Sequence, residues 1–230
     1  MAKEIPFIFG MEKNKVLIIV AHPDDEVLGM GGTIAKYSSV KDFYLLILTD
    51  GVSARNKKLI EKQEENAKKA NFFLGVKEIY FARFLDEQLD KYPLLKIIKK
   101  LEEVINKIKP KEIYTHFPYD VNQDHQITSK AVSVACRPLF NSSIEKFFTF
   151  EIPGSTEWNF LNKFSPNYYE VLTEEEINKK ITAFKFYEKE VKDFFHPRSE
   201  EGIINKAKMR GLEIGFPFAE AFFLIREIIK

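Results

Sequence analysis

The chain has 230 residues, which suits one large α/β domain or one domain with a small extension. Its 35 basic and 34 acidic side chains leave a formal net charge of +1. The chain therefore lacks the excess of positive charge that would indicate a nucleic-acid partner. The single cysteine excludes an intramolecular disulfide and a cysteine-based zinc knuckle. The N-terminus does not resemble a signal peptide, and no apolar stretch approaches the ~20 residues of a membrane span. We therefore expect a cytoplasmic protein without a membrane span.

Short apolar runs alternate with longer amphipathic runs through the first two thirds of the chain. Strands are predicted at residues 16–20, 43–48, 78–81, 112–117 and 146–152. Helices are predicted at about residues 27–38, 57–74, 94–108 and 124–136. This alternation is typical of βαβ units with right-handed crossovers. It predicts an α/β fold with a mostly parallel sheet covered by helices on both faces.

The alternation stops after about Pro153. An irregular stretch at residues 154–166 precedes a short strand near Tyr168, a helix over about residues 173–192, a second helix from about Ser199 and an apolar end at residues 221–229. We interpret residues 153–230 as a C-terminal α+β extension packed on a core of about residues 14–152. The prediction is a single domain over residues 1–230.

Two loops with metal-ligand residue types follow the first and the fourth predicted strands. One loop reads Ala-His-Pro-Asp-Asp-Glu over residues 21–26, and the other covers residues 119–125. In a doubly wound parallel sheet, ligands bind beyond the carboxyl ends of the strands, at the point where the strand order reverses. The first and fourth strands are neighbours at that point, so we expect both loops to open into one crevice.

The residue types in these loops suit a catalytic zinc ion, which takes three His or carboxylate ligands and keeps one position open. His22 and Asp25 are three residues apart in a loop that enters a helix, so their side chains can point the same way, and His125 completes the set. Asp24 then lies beside the metal and can take a proton from water. The alternative is that the acids only cap a helix and that His125 is a capping or surface residue.

The glycine-rich run at residues 29–32 has two interpretations. It follows a strand, as a dinucleotide-binding loop does, but it lacks the G-x-G-x-x-G order. Three acids precede it, and they would repel a pyrophosphate. Close packing of the helix against the sheet explains these glycines better.

Residues 20–26, followed by the glycines at 29–32, resemble the opening motif of the LmbE-like, or PIG-L-like, zinc de-N-acetylases. Further matches follow at residues 48–51, Arg55, 74–76, 85–86, 114–116 and 124–125. The resemblance covers about the first 150 residues. It implies a Rossmann-like LmbE fold and hydrolysis of an acetamide on a sugar such as N-acetylglucosamine.

The resemblance also implies site residues. One zinc ion per chain would be held by His22, Asp25 and His125, with Asp24 as general base. Arg55 would contact the substrate or order a loop.

The sequence departs from the family pattern at one position. Many relatives have a histidine three residues before the last metal ligand, where this chain has Asn122. An amide can donate a hydrogen bond but cannot be an imidazolium, so the oxyanion donor would be Asn122 or His196. Asn122 would also contact the substrate.

The C-terminal part is similar to one bacterial branch of the family at residues 150–158, 196–199 and 219–222. There, His196 and Arg198 form a basic pair, and arginine suits bidentate contacts with anions. Arg198 is therefore a predicted substrate contact, which favours a nucleotide- or lipid-linked sugar. Packing and turn formation are the competing interpretation of these segments.

The sequence thus predicts a zinc-dependent hydrolase that releases acetate and a free amine from a small-molecule N-acetylated sugar. A non-catalytic sugar-nucleotide-binding module is one alternative. A zinc amidase or esterase acting on another acyl group is the other. The sequence leaves open the sugar, its carrier and whether the chain forms a homo-oligomer.

Overall fold

The computed structural model describes residues 13–139 and 142–230. Their strands are β1 (Asn14–Val20), β2 (Lys41–Thr49), β3 (Glu78–Phe84), β4 (Glu112–His116), β5 (Lys146–Phe150), β6 (Tyr168–Leu172) and β7 (Phe218–Glu227). They form one sheet in the order β3-β2-β1-β4-β5-β7-β6. The first five strands pair in parallel, whereas β7 is antiparallel to both of its neighbours. The predicted mostly parallel α/β sheet is confirmed.

Helices cover both faces of this sheet. They are α1 (Asp25–Tyr37), α2 (Ile60–Leu74), α3 (Leu94–Ile108), α4 (Gln123–Ala135), α5 (Glu174–Lys185) and α6 (Glu200–Leu212). Successive side chains of a strand point to opposite faces, and β1 accordingly contributes Val16 and Ile18 to one core and Leu17 and Ile19 to the other. The described helices include none long and apolar enough to cross a membrane.

The strands β1 and β4 are neighbours, as the sequence predicts. Val16 is opposite Glu112, and Ile18 is opposite Tyr114. The chain leaves β1 on one side of this pair toward β2 and leaves β4 on the other side toward β5. The loops after β1 and β4 therefore meet at the carboxyl edge of the sheet, where a crevice opens.

The C-terminal region differs from its predicted elements in two places. The predicted helix over residues 173–192 is wrong at its end, because α5 stops at Lys185. Tyr187 is instead buried against the sheet edge, where its hydroxyl bonds to Glu26, and this tertiary contact outweighs the helical pattern. The apolar end is β7, which pairs with β5 and β6. The extension thus continues the core sheet, while the single-domain assignment stays a prediction.

Close packing accounts for the glycines of α1. A Cβ atom at Gly29 would lie 2.5 Å from the ring of Phe150 on β5, and one at Gly32 would collide with Leu172 on β6. A side chain at either position would therefore push α1 away from the sheet. This placement agrees with the packing interpretation of the glycine-rich run.

Candidate active site

The loop between β1 and α1 is held in place by a buried glutamate. The backbone N–H of Asp24, whose φ of 114° lies in the left-handed region, donates to Oε2 of Glu26 at 3.2 Å. The other oxygen of Glu26 accepts from the Tyr187 hydroxyl at 2.6 Å and from Nδ2 of Asn71 at 2.7 Å. Burial raises the pKa of Glu26 to about 7, although these hydrogen bonds act in the opposite direction. Glu26 therefore ties the loop to α2 and to the segment after α5.

Three predicted ligand atoms form a nearly equilateral triangle. His22 Nδ1 lies 3.1 Å from His125 Nε2 and 3.2 Å from Asp25 Oδ2, and His125 Nε2 lies 3.3 Å from the same oxygen. Tetrahedral zinc with ligand bonds of about 2.0–2.1 Å places its ligand atoms roughly 3.3 Å apart. The second oxygen of Asp25 is buried without a hydrogen-bond partner among the described residues. The donor types and their spacing therefore fit a zinc ion.

Carboxylates face the outer nitrogen of each histidine. His125 Nδ1 lies 3.2 Å from Asp120 Oδ1, whereas His22 Nε2 lies 3.4 Å from Asp124 Oδ2 and 3.5 Å from Asp86 Oδ1. Such carboxylate–histidine pairs fix the tautomer and the orientation of a ligating ring. Asp120 therefore orients His125, whereas Asp124 faces His22.

Asp120 also joins this site to the loop after β5. Its carboxylate accepts short hydrogen bonds from the hydroxyls of Ser155 and Thr156. Burial alone would raise the pKa of Asp120, but its bonds to His125 and to these hydroxyls hold the pKa at about 2. Ser155 and Thr156 are buried, so they position the site and present no surface to a ligand.

A third histidine lies beneath the site. His116, the last residue of β4, stacks on His125 with a ring separation of 4.0 Å, and its Nε2 accepts from the backbone N–H of Ala21 at 2.9 Å. Burial, followed by the charge of His125, lowers the pKa of His116 to about 3. His116 therefore acts as a neutral hydrogen-bond acceptor that connects β4 to the loop after β1.

Asp24 is paired with an arginine from the C-terminal region. Arg198 Nη1 donates to Asp24 Oδ2 at 3.2 Å, and Arg198 Nε donates to the carbonyl of Pro153 at 3.2 Å. Burial raises the pKa of Asp24 well above its ordinary value, and the charge of Arg198 opposes that shift. The predicted base and the predicted anion-binding arginine are thus in direct contact.

These groups open into a cavity of about 300 Å³ at the carboxyl edge of the sheet. Its lining includes predicted site residues and residues that the sequence did not single out as site residues. The lining is His22, Pro23, Asp24, Gly51, Ala54, Arg55, Gln63, Asp86, Glu87, Asn122, His125, Glu190 and Arg198. Asp86 lies in one of the segments that carry the sequence resemblance, whereas no local signal identifies Glu190, which lies in the segment after α5.

Two predicted residues already have protein partners inside the cavity. Arg55 Nη2 donates to Glu190 Oε1 at 2.7 Å and to the carbonyl of Gly51 at 2.9 Å. Asn122 caps α4, because its Oδ1 accepts from the N–H of His125, while its Nδ2 donates to Glu87 Oε1 at 3.1 Å. The free hydrogen-bonding capacity of Asn122 therefore lies on its Nδ2 side.

His196 does not itself line this cavity, although it contacts Arg198, which does. Its Nδ1 accepts from the backbone N–H of Arg198 at 3.0 Å, and its ring lies 6.1 Å from that of Trp158. This placement suits a residue that shapes the loop carrying Arg198. The catalytic role predicted for His196 stays a prediction without a contact to support it.

Comparison with known proteins gives consistent similarities. The profile of the family described as PIG-L: GlcNAc-PI de-N-acetylase matches residues 17–136. Diacetylchitobiose deacetylase from Thermococcus kodakarensis is 34% identical over 146 residues, which are 56% of this chain and 53% of that enzyme. The uncharacterized deacetylase YaiS from Escherichia coli K12 is 29% identical over 181 residues, which are 76% of this chain and 90% of that protein.

A solved structure shows the same architecture. The N,N'-diacetylchitobiose deacetylase from Pyrococcus horikoshii, complexed with its inhibitor MPG, superposes with a TM-score of 0.75 at 25% sequence identity. The match covers 93% of this chain and 84% of that one. It therefore includes the C-terminal region as well as the segment that carries the motif.

Proposed function

Since the chain belongs to the PIG-L family of de-N-acetylases, we propose that it hydrolyses the acetamide of an N-acetylated sugar conjugate with the help of one zinc ion. The products are acetate and the free amine. The observation that carries the proposal is the triangle of ligand atoms from His22, Asp25 and His125, which opens into the same cavity as Asp24.

His22, Asp25 and His125 would hold the ion, and Asp120 and Asp124 keep the two imidazoles turned toward it. When bound, zinc supplies Lewis-acid activation of the attacking water and of the acetyl carbonyl. His22 lies in the loop after β1, and Asp25 and His125 lie in the first turns of α1 and α4, so the protein spends little energy on ordering them when the ion binds.

Asp24 is the general base in this proposal. Its Oδ2 accepts a hydrogen bond from Arg198, so we propose that its other oxygen, Oδ1, accepts the proton of the attacking water. As the water oxygen bonds to the acetyl carbon, Asp24 holds this proton beside the scissile bond. The C–N bond then breaks, the amine nitrogen takes the proton from Asp24, and acetate leaves.

Two further side chains have the placement to contact the substrate. Asn122 Nδ2 borders the cavity and can donate to the carbonyl oxygen, where negative charge develops. Arg55 is partly exposed at the rim, where its guanidinium can reach sugar hydroxyls or a linked group. Arg198 is mostly buried against Asp24, so we assign it to positioning the base and not to binding a phosphate.

Acetate release tests this function. The purified chain, with its metal content measured, is incubated with a panel of N-acetylated sugars and with matched N-formyl, N-propionyl and O-acetyl compounds. We expect acetate from N-acetylglucosamine conjugates, with activity lost on chelation and restored by zinc. Preferred release of another acyl group would favour the amidase or esterase alternative. Sugar binding without acetate release across the panel would favour a non-catalytic module.

A further inference from the structure

The helix α1 is bent within its length, at Met30. The backbone angles of Met30 are φ −150° and ψ 23°, which lie outside the helical region, so α1 consists of two helical segments, residues 25–29 and residues 31–37. The first segment begins with Asp25, a proposed zinc ligand, and directly follows Asp24, the proposed base. The bend therefore sets the direction of the turn that carries two residues of the site.

A bend of this kind creates two helix ends inside the protein. The end of one helical segment presents backbone carbonyl groups, and the start of the next presents backbone N–H groups. All residues from 25 to 34 are buried, so these groups need partners from the protein itself. The carbonyl of Leu28 and the N–H groups of Gly32 and Thr33 are the groups that meet such partners.

Two buried side chains of opposite charge supply the partners. Lys180 of α5 donates from Nζ to the carbonyl of Leu28 at 2.7 Å. Glu220 of β7 accepts from the N–H of Gly32 at 3.0 Å, and from the N–H and the hydroxyl of Thr33 at 2.7 Å each. Lys180 and Glu220 also bond to each other at 2.7 Å, and each is only 5% exposed. The ion pair therefore spans the bend, with one partner on each side.

The sign of each charge matches the helix end that it contacts. The C-terminal end of a helix carries a partial negative charge, and the N-terminal end carries a partial positive charge. The ammonium of Lys180 lies at the end of the first segment, and the carboxylate of Glu220 lies at the start of the second. In a continuous helix the Leu28 carbonyl would instead accept from the N–H of Gly32. The pair thus favours the bent form of α1.

Two glycines of the glycine-rich run leave the space that the pair occupies. A Cβ atom at Gly31 would lie 3.0 Å from Cγ of Lys180, and one at Gly32 would lie 3.3 Å from Oε1 of Glu220. Both distances are closer than an ordinary van der Waals contact. The run is therefore matched to these two side chains as well as to the sheet.

Stability alone does not explain a buried ion pair at this place. Desolvating two charges costs about as much as their attraction returns, and apolar side chains of similar volume are often equally stable. Apolar side chains could fill the same space, but they could not bond to the two helix ends. The charges are therefore suited to fixing one arrangement of α1.

We propose that Lys180 and Glu220 are positioning residues, which hold α1 bent so that Asp25 presents its carboxylate to the zinc position and Asp24 lies beside it. The inference rests on the proposed function for the roles of the two aspartates. Neither Lys180 nor Glu220 lines the active-site cavity, so both act through α1.

Zinc affinity and turnover test the proposal. Competition with a chelator measures the Kd for zinc, and acetate release from N-acetylglucosamine measures kcat and KM. We expect Lys180→Met and Glu220→Gln each to weaken zinc binding about ten-fold, as loss of an outer partner of a metal site typically does. Both should lower kcat with little change in KM. Glutamine has one acceptor oxygen, so its NH₂ group would face a donor in place of the second oxygen of Glu220.

The double variant separates positioning from stability. Removing one partner leaves the other as an unpaired buried charge, so each single variant should also lower Tm. Lys180→Met combined with Glu220→Gln should regain part of that Tm. Zinc affinity and kcat should not recover, because the Leu28 carbonyl still lacks its donor. If a single variant does not fold, the double variant supplies the test.

Glu112→Gln is the matched control. Glu112 is also buried, at 4% exposed, and it pairs with Lys41 at 2.9 Å at the start of β4, at the edge of the sheet opposite the site. This variant should lower Tm without changing the Kd for zinc or kcat. An equal loss of zinc affinity in the control would show that any loss of stability weakens the site, and it would overturn the proposal.

Two further outcomes decide between the explanations. Unchanged zinc affinity in all three variants of the pair, or zinc affinity that recovers together with Tm in the double variant, would show that the pair serves stability alone. Zinc affinity that depends on the pair in a protein that releases no acetate would support the positioning role while contradicting the deacetylase function. The two proposals therefore fail independently.

Discussion

Arg198 Nη1 donates a hydrogen bond to Asp24 Oδ2 across a sequence separation of 174 residues. The arginine is therefore a partner of the proposed base, although it lies in the loop before α6. Removing it leaves Asp24 without its only side-chain hydrogen bond among the described residues, so the carboxylate is free to rotate.

We expect Arg198→Ala to lower kcat about 10- to 100-fold, the typical effect of losing a hydrogen bond to a charged group. Arg198→Lys should recover part of this loss. Metal content should not change. Steady-state kinetics and elemental analysis check the prediction, with Arg226→Ala, which removes a distant bond to the Cys136 carbonyl, as the control. A change in KM alone would show instead that Arg198 contacts the substrate.

Asp24 and Asp25 are adjacent, but the proposed roles differ. Asp24→Asn should keep the zinc ion and the fold while lowering kcat about 10²- to 10⁴-fold, because proton transfer is lost. Asp25→Asn should lower zinc affinity first, and excess metal should restore part of its activity. Metal content and rate are measured for both variants. Loss of zinc in Asp24→Asn with retention in Asp25→Asn would reverse the two assignments.

Metal removal should destabilise the fold as well as abolish activity. The three ligand atoms lie within 3.3 Å of one another but come from two distant segments, the β1–α1 junction and α4, so the ion binds the folded chain far better than the unfolded one. We expect chelation to lower Tm by on the order of 10 °C at a zinc concentration near a thousand times Kd. His125→Ala should have a low Tm that neither chelator nor zinc changes. A chelator-insensitive native chain would contradict the proposed site.

Glu151, which follows β5, forms a contact with α6 that we expect to be lost at acidic pH. Its carboxylate bonds to Arg210 at 2.6 and 2.8 Å and to Lys206 at 3.2 Å. Burial alone would raise the pKa of Glu151, but these two cations hold it below the ordinary value. Because the folded-state pKa is lowered, the contact stabilises the protein at neutral pH and is lost as the pH falls through that folded-state value.

We expect Glu151→Gln to lower the free energy of unfolding by about 1–3 kcal/mol at pH 7. The difference from the native chain should narrow below about pH 4, where unfolded glutamates take up protons. Denaturant unfolding at several pH values measures this difference. Glu103→Gln, which breaks an exposed pair with Lys100, should have no measurable effect at any pH. A difference that does not depend on pH would show that Glu151 acts through packing alone.

The sequence predicts the parts of this site that depend on local pattern and on sheet topology. His22 and Asp25 follow a recognisable buried strand, and the alternation of strands and helices places β4, and therefore the loop with His125, beside β1. The contact between Arg198 and Asp24 has no such signal. It depends on where a long irregular loop packs, and neither hydrophobic periodicity nor turn chemistry specifies that packing.

Tertiary packing that the sequence pattern does not specify also explains why sequence reasoning missed other residues of the cavity. Glu190 lines the cavity and lies in the segment after α5, where Tyr187 bonds to Glu26 in another part of the molecule. Gln63 falls within an ordinary polar helix pattern, and only the path of α2 shows that it is buried. Residues of this kind can be identified only when the tertiary packing is known.

The position of β7 determines when the sheet is completed during synthesis. β7 pairs with β5 and β6, yet it is made after both, so β6 leaves the ribosome before the strand that joins it to the sheet. Arg198 lies between β6 and β7 in the chain. A nascent polypeptide therefore carries all three proposed metal ligands before Arg198, the partner of Asp24, has been synthesised.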